Sequence, residues 1–233
     1  MKRVLLQEAY VLHRRPYRES SFLLELLTKE YGRISVLIKG ARKPKSPLQG
    51  LLQPFTPLLV SWVGRQELMV LSHVEAIASA FQLRGECLFA GFYLNELLVH
   101  LLQKWEAFPS LYLMYEKTLS WLGHDHLDQK ILRMFEKQLL IELGYGVLLK
   151  SDLALQQTFS KDQYYEFIPG EGFILSQVSA GQKSTHFLGQ SLLDFAQENW
   201  QDDASLQDAK RLMRLIFANL LGDRILHSRL LFQ

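Results

Sequence analysis

Between Lys39 and Lys45 the chain sets four cations, Lys39, Arg42, Lys43 and Lys45, within seven residues and with no acid among them. Such groups suit one kind of chemistry, the neutralisation of phosphates, because each ammonium or guanidinium releases a counterion from a polyanion. The surrounding sequence extends the same field. No Asp or Glu occurs between Glu30 and Glu67, whereas Arg33 and Arg65 do, and residues 1–80 hold 12 Lys and Arg against 6 Glu and no Asp. The 233-residue chain carries a formal net charge of only +2, so its remainder is acidic. A one-signed region of this size points to nucleic acid or an anionic membrane surface. A plain solvated loop is the competing reading. Arg14, Arg15 and Arg18 lie upstream, and Tyr10, Tyr17, Tyr31, Phe55 and Trp62 stand near the cations. Most of these rings are expected in the core or in strand pairs, and Tyr17 and Tyr31 are the candidates for stacking unpaired bases.

Other constellations carry less. His124, Asp125, His126 and Asp128 are metal-ligand types, but His-x-His does not put two imidazoles at i and i+4. Their segment lies between helical runs, where polar residues serve as loop and N-cap. Glu96 sits in an apolar run with only His100 at helical spacing, which fits a satisfied buried carboxylate better than a catalytic one. Cys87 is the one cysteine, which excludes an internal disulfide and a four-cysteine zinc site and suits a reducing, cytoplasmic setting. Neither phosphate-cradling glycine motif, no nucleophile elbow and no two-histidine zinc helix occurs. The expectation is a protein that is not an enzyme, with no catalytic residues, no metal and no cofactor.

The elements that must hold the cations read as short strands. EAYVLHRR, SFLLELLT, RISVLIKG, PLLVSWV, ELMVLS and VEAIAS are the strand candidates, with turn chemistry at KEYGR and GRQE. Five or six strands fit a small closed barrel, which leaves no exposed edge, and an OB-like form is expected. Pro44, Pro47, Gly40 and Gly50 make the cationic stretch a loop between strands. From about Gly85 the period turns helical. The expected class is α+β: an OB-like barrel over residues 1–80, then a mainly helical domain over 81–233 carrying a short hairpin at QYYEFIPGEGFILS.

Residues 86–105 are apolar nearly all round and are expected at the centre of the second domain. LDQKILRMFEKQLLIELGYG turns Leu127, Ile131, Phe135, Leu139 and Leu143 inward, leaves Lys130, Arg133 and Lys137 outside, and stops at Gly144. SLQDAKRLMRLIFANLLGD opens on a Ser205 cap with Asp208 three residues on, and leaves Lys210, Arg211 and Arg214 outside. The greasiest segment is broken by Asn95, Glu96 and His100, so it reads as a buried helix and not a membrane span. The apolar scrap before Gln7 is too short for a signal peptide.

The stretch AYVLHRRPYRESSFLLELLTKEYGRISVLIKGARKPKSPLQGLLQPFTPLLVSW resembles the N-terminal domain of the RecO recombination-mediator family of bacteria. The most specific features are a strand ending Lys39-Gly40-Ala41-Arg42 and the downstream Leu52-Gln53-Pro54-Phe55, and the resemblance continues through FYLNELL, ILRMFEKQLLIELGYG and LGDRILHSRLLF. It implies a cytoplasmic DNA-binding protein, nucleoid-associated during repair, that anneals complementary single strands. It further implies help in loading RecA onto DNA coated with single-strand-binding protein, together with RecR. By matching positions, Arg33, Lys39, Arg42, Lys43 and Lys45 are the leading contacts to single- and double-stranded DNA, with Arg14, Arg15 and Arg18 behind them.

Many members place a four-cysteine zinc site after GYG, whereas Ser151 stands where the first cysteine is expected here. The hairpin region near 147–180 is then expected to be zinc-less and held by Tyr164, Phe167, Ile168, Phe173 and Ile174. The resemblance also implies a site on the helical domain for the acidic, apolar C-terminal tail of single-strand-binding protein. Arg133, beside Leu132 and Phe135, is the candidate cation, with Lys130 and Lys137 behind it, unless these are ordinary solvated charges. Arg224, His227 and Arg229 either extend the DNA path or cap the last helices. An RNA-binding OB-fold protein is the alternative function. An enzyme acting on nucleic-acid ends is disfavoured by the missing acid pairs.

Overall fold

The computed structural model describes residues 2–65, 68–124, 126–146, 159–176, 184–200 and 202–232. Asp125, Ser151, Gln66 and Glu67 of the expected GRQE turn and parts of the 147–180 region lie outside the described residues. The chain divides into two compact units, residues 1–127 with 226–233, and residues 128–225.

The first unit is built on strand β1, Lys2–Tyr17, which is long enough to serve two neighbours. Its second half pairs antiparallel with β2, Ser21–Thr28, and its first half with β4, Leu58–Arg65. Register shifts between Val4 and Gln7 and between Val11 and His13 bend the strand so that it can turn from one partner to the other. β2 pairs with β3, Gly32–Ile38, and β4 with β5, Leu68–Ala76. Parallel contacts Val36↔Met69 and Leu37↔Val70 then close the barrel in the order β1-β2-β3-β5-β4. The expected OB-like barrel is present. ELMVLS and VEAIAS contribute to one strand, because β4 runs opposite it from Leu68 to Ala76.

Inside lie Val4, Val11, Leu24, Leu26, Ile34, Val36, Val60 and Trp62, each buried. Each aliphatic among them contributes about 1.5–3 kcal/mol by leaving water. The connection from β3 to β4 crosses one end of the barrel and carries a short helix α1, Leu48–Leu51. Ala41 and Leu52 within it are fully buried, and Leu48 and Leu51 pack against the same core.

Helices α2, Gly85–Leu101, and α3, Pro109–Leu122, belong to this unit. Helix α2, in the stretch expected at the centre of the second domain, packs against β1 and α3. Asn95 donates from Nδ2 to the Leu12 carbonyl of β1 (3.0 Å) and accepts from the Tyr115 hydroxyl. The Tyr10 hydroxyl of β1 donates to Glu116 of α3 (2.9 Å). Gly91 lets α2 approach closely, since a Cβ there would lie 2.7 Å from Leu83 and 2.9 Å from the Phe55 ring.

A closing 3-10 helix, His227–Phe232, returns to the first unit. Glu96 of α2 caps it, accepting from the His227 amide (2.8 Å), the Ser228 amide (2.9 Å) and the Ser228 hydroxyl. The expectation of a satisfied carboxylate at Glu96 therefore holds.

In the second unit α4, Gln129–Glu142, starts at Asp128, whose carboxylate accepts from the Lys130 amide (2.9 Å), as the cap reading of that segment expected. β6, Tyr164–Ile168, is the centre of a three-stranded sheet with β7, Gly172–Leu175, and β8, His186–Leu188. Two helices follow, α5, Gly189–Gln197, and α6, Asp203–Leu221. The hairpin has a third strand that sequence did not suggest; strand alternation buries Phe167 and Phe173 as expected, adds Tyr165, and leaves Tyr164, Ile168 and Ile174 only partly buried. Phe173 meets Phe159 (5.2 Å), Phe167 (5.3 Å) and Phe187 (6.2 Å). The cap of α6 is Asp202, accepting from the Ser205 amide (2.7 Å), because Ser205 itself is buried against Asp194. None of the described helices is long and apolar enough to cross a membrane.

Burial raises the pKa of Glu96, but its bonds from Ser228 and His227 outweigh that and leave it below the usual carboxylate range. A lowered folded-state pKa stabilises the fold above the unfolded value of about 4.3 and loses that stabilisation as pH falls through the folded value. Denaturant titrations of wild type and Glu96→Gln across this range should show wild type losing stability more steeply with acid. Parallel curves would mean that the charge of Glu96 does not hold the C-terminal helix.

Candidate nucleic-acid interface

The β1–β2 turn, residues 18–20, and the start of the β3–β4 connection emerge at the same end of the barrel, since β1 and β3 both flank β2 in the registers Tyr17↔Ser21 and Phe22↔Ile38. Two hydrogen bonds lock them together: the Arg42 amide donates to the Ser20 carbonyl (2.9 Å) and the Arg42 guanidinium to the Arg18 carbonyl (2.8 Å). Beyond Arg42 the loop winds through successive turns, Lys43 N to Gly40 O (3.2 Å), Ser46 N to Lys43 O (3.1 Å) and Gln49 N to Ser46 O (3.2 Å). Its buried side is Ala41; its outer side is Lys39, Lys43 and Lys45, all exposed.

The expected contacts thus separate into two groups. Arg15, Arg18, Lys39, Lys43 and Lys45 are exposed, and Arg42 is partly exposed while it ties the two segments. Glu19 is exposed in the same turn and offsets one of these charges. Arg14 and Arg33 are structural. Arg14 donates to the carbonyls of Gln49 (3.1 Å) and Leu52 (3.4 Å) and lies over the Phe22 ring (5.3 Å), which anchors α1. Arg33 pairs with Glu25 (2.8 Å) and donates from Nε to the Leu102 carbonyl (3.0 Å), with its side chain 13% exposed. Nothing in the sequence singled out Glu25, although it faces Ser35 and Arg33 across two strands.

Among the aromatic candidates, Tyr10 and Trp62 are fully buried and Phe55 nearly so. Tyr31 packs edge-on against Trp62 (5.3 Å) beside the β2–β3 turn, at the far end of the barrel from the cations. Tyr17 is the ring placed with the basic cluster, with the Arg18 guanidinium 5.5 Å from its centre.

In the second unit Arg133, the leading candidate of the expected tail site, is not presented at the surface. Arg133 is 5% exposed and pairs with the buried Glu136 (2.8 Å). An i, i+3 pair lets both charges enter the interior together, so the inward face of α4 includes Leu132, Arg133 and Glu136 as well as Phe135 and Leu139. Lys137 is bound by the Ala196 carbonyl (2.7 Å) and Glu198 (2.9 Å). Lys130 is exposed. Among the described residues no group of His, Cys, Asp and Glu is arranged to hold a metal ion.

A five-stranded OB barrel with a cationic β3–β4 connection belongs to a class of barrels whose faces and loops bind oligonucleotides. Comparison with known proteins narrows the class. Residues 1–80 match the family model described as "Recombination protein O N terminal" and residues 83–230 that described as "Recombination protein O C terminal". The chain is 45% identical over 228 residues to "DNA repair protein RecO" of Coxiella burnetii, covering 98% of this chain and 97% of that one. It is 43% identical to the protein of the same name from Nitrosococcus oceani, covering 97% and 92% of the two chains, and 41% identical to that from Actinobacillus pleuropneumoniae, covering 96% and 92%. The chain belongs to the recombination protein O family.

Arg18 (φ 52°) and Lys45 (φ 62°) hold left-handed backbone conformations that glycine would adopt at lower cost. Arg18→Gly and Lys45→Gly should each leave stability equal or raise it by up to about 1 kcal/mol, a shift of roughly 2–4 °C in Tm. Each should weaken single-stranded DNA binding in a low-salt anisotropy titration. Unchanged affinity in both variants would remove these side chains from the interface.

Proposed function

We propose that this protein is a non-enzymatic DNA-binding mediator of repair and recombination, which anneals complementary single strands and helps RecA replace single-strand-binding protein, with RecR as a partner. The observation that carries the reading is the tie from Arg42 to Ser20 and Arg18, which gathers six cations at one end of an OB barrel. The names of the relatives support the repair setting. The roles of RecR, RecA and single-strand-binding protein, and cytoplasmic action near the nucleoid, follow from the family resemblance.

The physical mechanism needs no covalent step. Two single strands repel one another through their phosphates, and cations that displace counterions from one strand lower the repulsion felt by its complement. Exposed lysines on a turn-rich loop suit this task, since they track phosphates without reading bases. Tyr17 offers one face for a base beside Arg18.

The test compares wild type with Lys39→Ala/Lys43→Ala/Lys45→Ala, a variant that leaves the Arg42 tie intact. On single strands log K should fall with log salt by about 0.7 per phosphate contacted, so removing three contacts should flatten the slope by about 2. Annealing of complementary oligonucleotides coated with single-strand-binding protein should fall with it. An unchanged slope and annealing rate would return the loop to a solvated surface feature. Preferential binding of RNA over DNA of equal length would shift the reading to an RNA-binding barrel.

A further inference from the structure

The second unit carries a basic surface of its own. Residues 209–222 contain no acid, and Lys210, Arg211 and Arg214 fall within five positions of that stretch. On α6 these three line a depression of about 460 Å³ together with Gln207, Asp208 and Leu215. Arg211 is its fixed floor. It donates to the carbonyls of Ser184 (3.2 Å) and His186 (2.7 Å), pairs with Asp208 (2.6 Å) and lies 4.3 Å over the Phe187 ring. The one acid of the depression is therefore engaged by Arg211. Lys210 and Arg214 stand one helical turn apart, Lys210 half-buried and Arg214 exposed, with the exposed Gln207 one turn before Lys210 and Arg211.

We infer that this face of α6 is a second nucleic-acid backbone site, one that holds a strand separate from the strand on the barrel. A row of cations one helical turn apart, with an amide donor beside it, fits phosphates and not base edges. The inference rests on the proposed DNA-handling role and adds its missing element: annealing brings two strands together, and each compact unit supplies a cationic surface for one. Sequence shows the cations, but only the contacts of Arg211 with Ser184, His186 and Phe187 show that it is immobilised, and only its pair with Asp208 shows that this acid is occupied.

The experiment is native mass spectrometry of the full chain with oligothymidylates of about twelve nucleotides, alongside annealing kinetics. Wild type should carry two oligonucleotides. Lys210→Gln/Arg214→Gln, and more strongly Lys210→Glu/Arg214→Glu, should carry one, keep first-strand affinity within about two-fold, and anneal at least about ten-fold more slowly. Both substitutions leave Arg211 in place, and unchanged thermal melting confirms the fold. A wild-type chain that takes one strand, or a charge-reversed variant that takes two and anneals normally, overturns the inference. Displacement of the second oligonucleotide by inorganic phosphate at equal phosphate concentration also overturns it, because the site is then a simple anion site. Loss of binding and annealing in the barrel-loop variant with no change in the α6 variant leaves the mediator role standing without this second site, whereas a wild type that binds no DNA removes the role itself.

Discussion

Closure of the barrel is the constraint from which the basic surface follows. β1 must pair with β2 through one half and β4 through the other, so β3 cannot hand the chain directly to its spatial neighbour β5. The chain has to cross the barrel end between β3 and β4. That crossing needs apolar residues underneath to seal the core, supplied by Ala41, Leu48, Leu51 and Leu52, and polar ones above. The cations occupy the side that closure leaves facing water. A crossing of this kind is a place where charge can be concentrated without entering the fold's interior.

Concentration is achieved with backbone as much as with side chains. Arg42 uses its amide and its guanidinium on carbonyls of the β1–β2 turn, and Arg14 uses its guanidinium on carbonyls at α1, so two of the arginines act as braces. The braces bring Arg15 and Arg18 beside the loop lysines. Like charges held this close destabilise one another by amounts that salt screens, and the fold tolerates them because they are solvated. A polyanion relieves that repulsion, which gives binding its driving force and its salt dependence together.

Much of this was legible in the residues. The acid-free zone from 31 to 66 and the turn chemistry within it located the cationic loop, and alternation located the strands. What sequence concealed were the pairings. Arg33 looks like any other cation of the zone until the pairing of β2 with β3 brings it diagonally within reach of Glu25, and Arg133 looks like the solvated side of an amphipathic helix until Glu136 follows it into the core. Periodicity assigns a charge to a face by its type; only three-dimensional pairing tells whether that charge is neutralised and carried inside. The contacts of helix α2 with β1 were hidden for a similar reason, since an all-round apolar pattern says that a helix is buried but not against what.

The most direct measurement is acylation of lysines by an amine-reactive reagent, read residue by residue by mass spectrometry, with and without single-stranded DNA. The account predicts that DNA protects Lys39, Lys43 and Lys45 at low salt and that added salt removes the protection, while Lys29, paired with Glu8 near the opposite turn of the barrel, reacts at the same rate throughout. Equal reactivity of Lys39, Lys43 and Lys45 with and without bound DNA, or protection centred on Lys29, would contradict it.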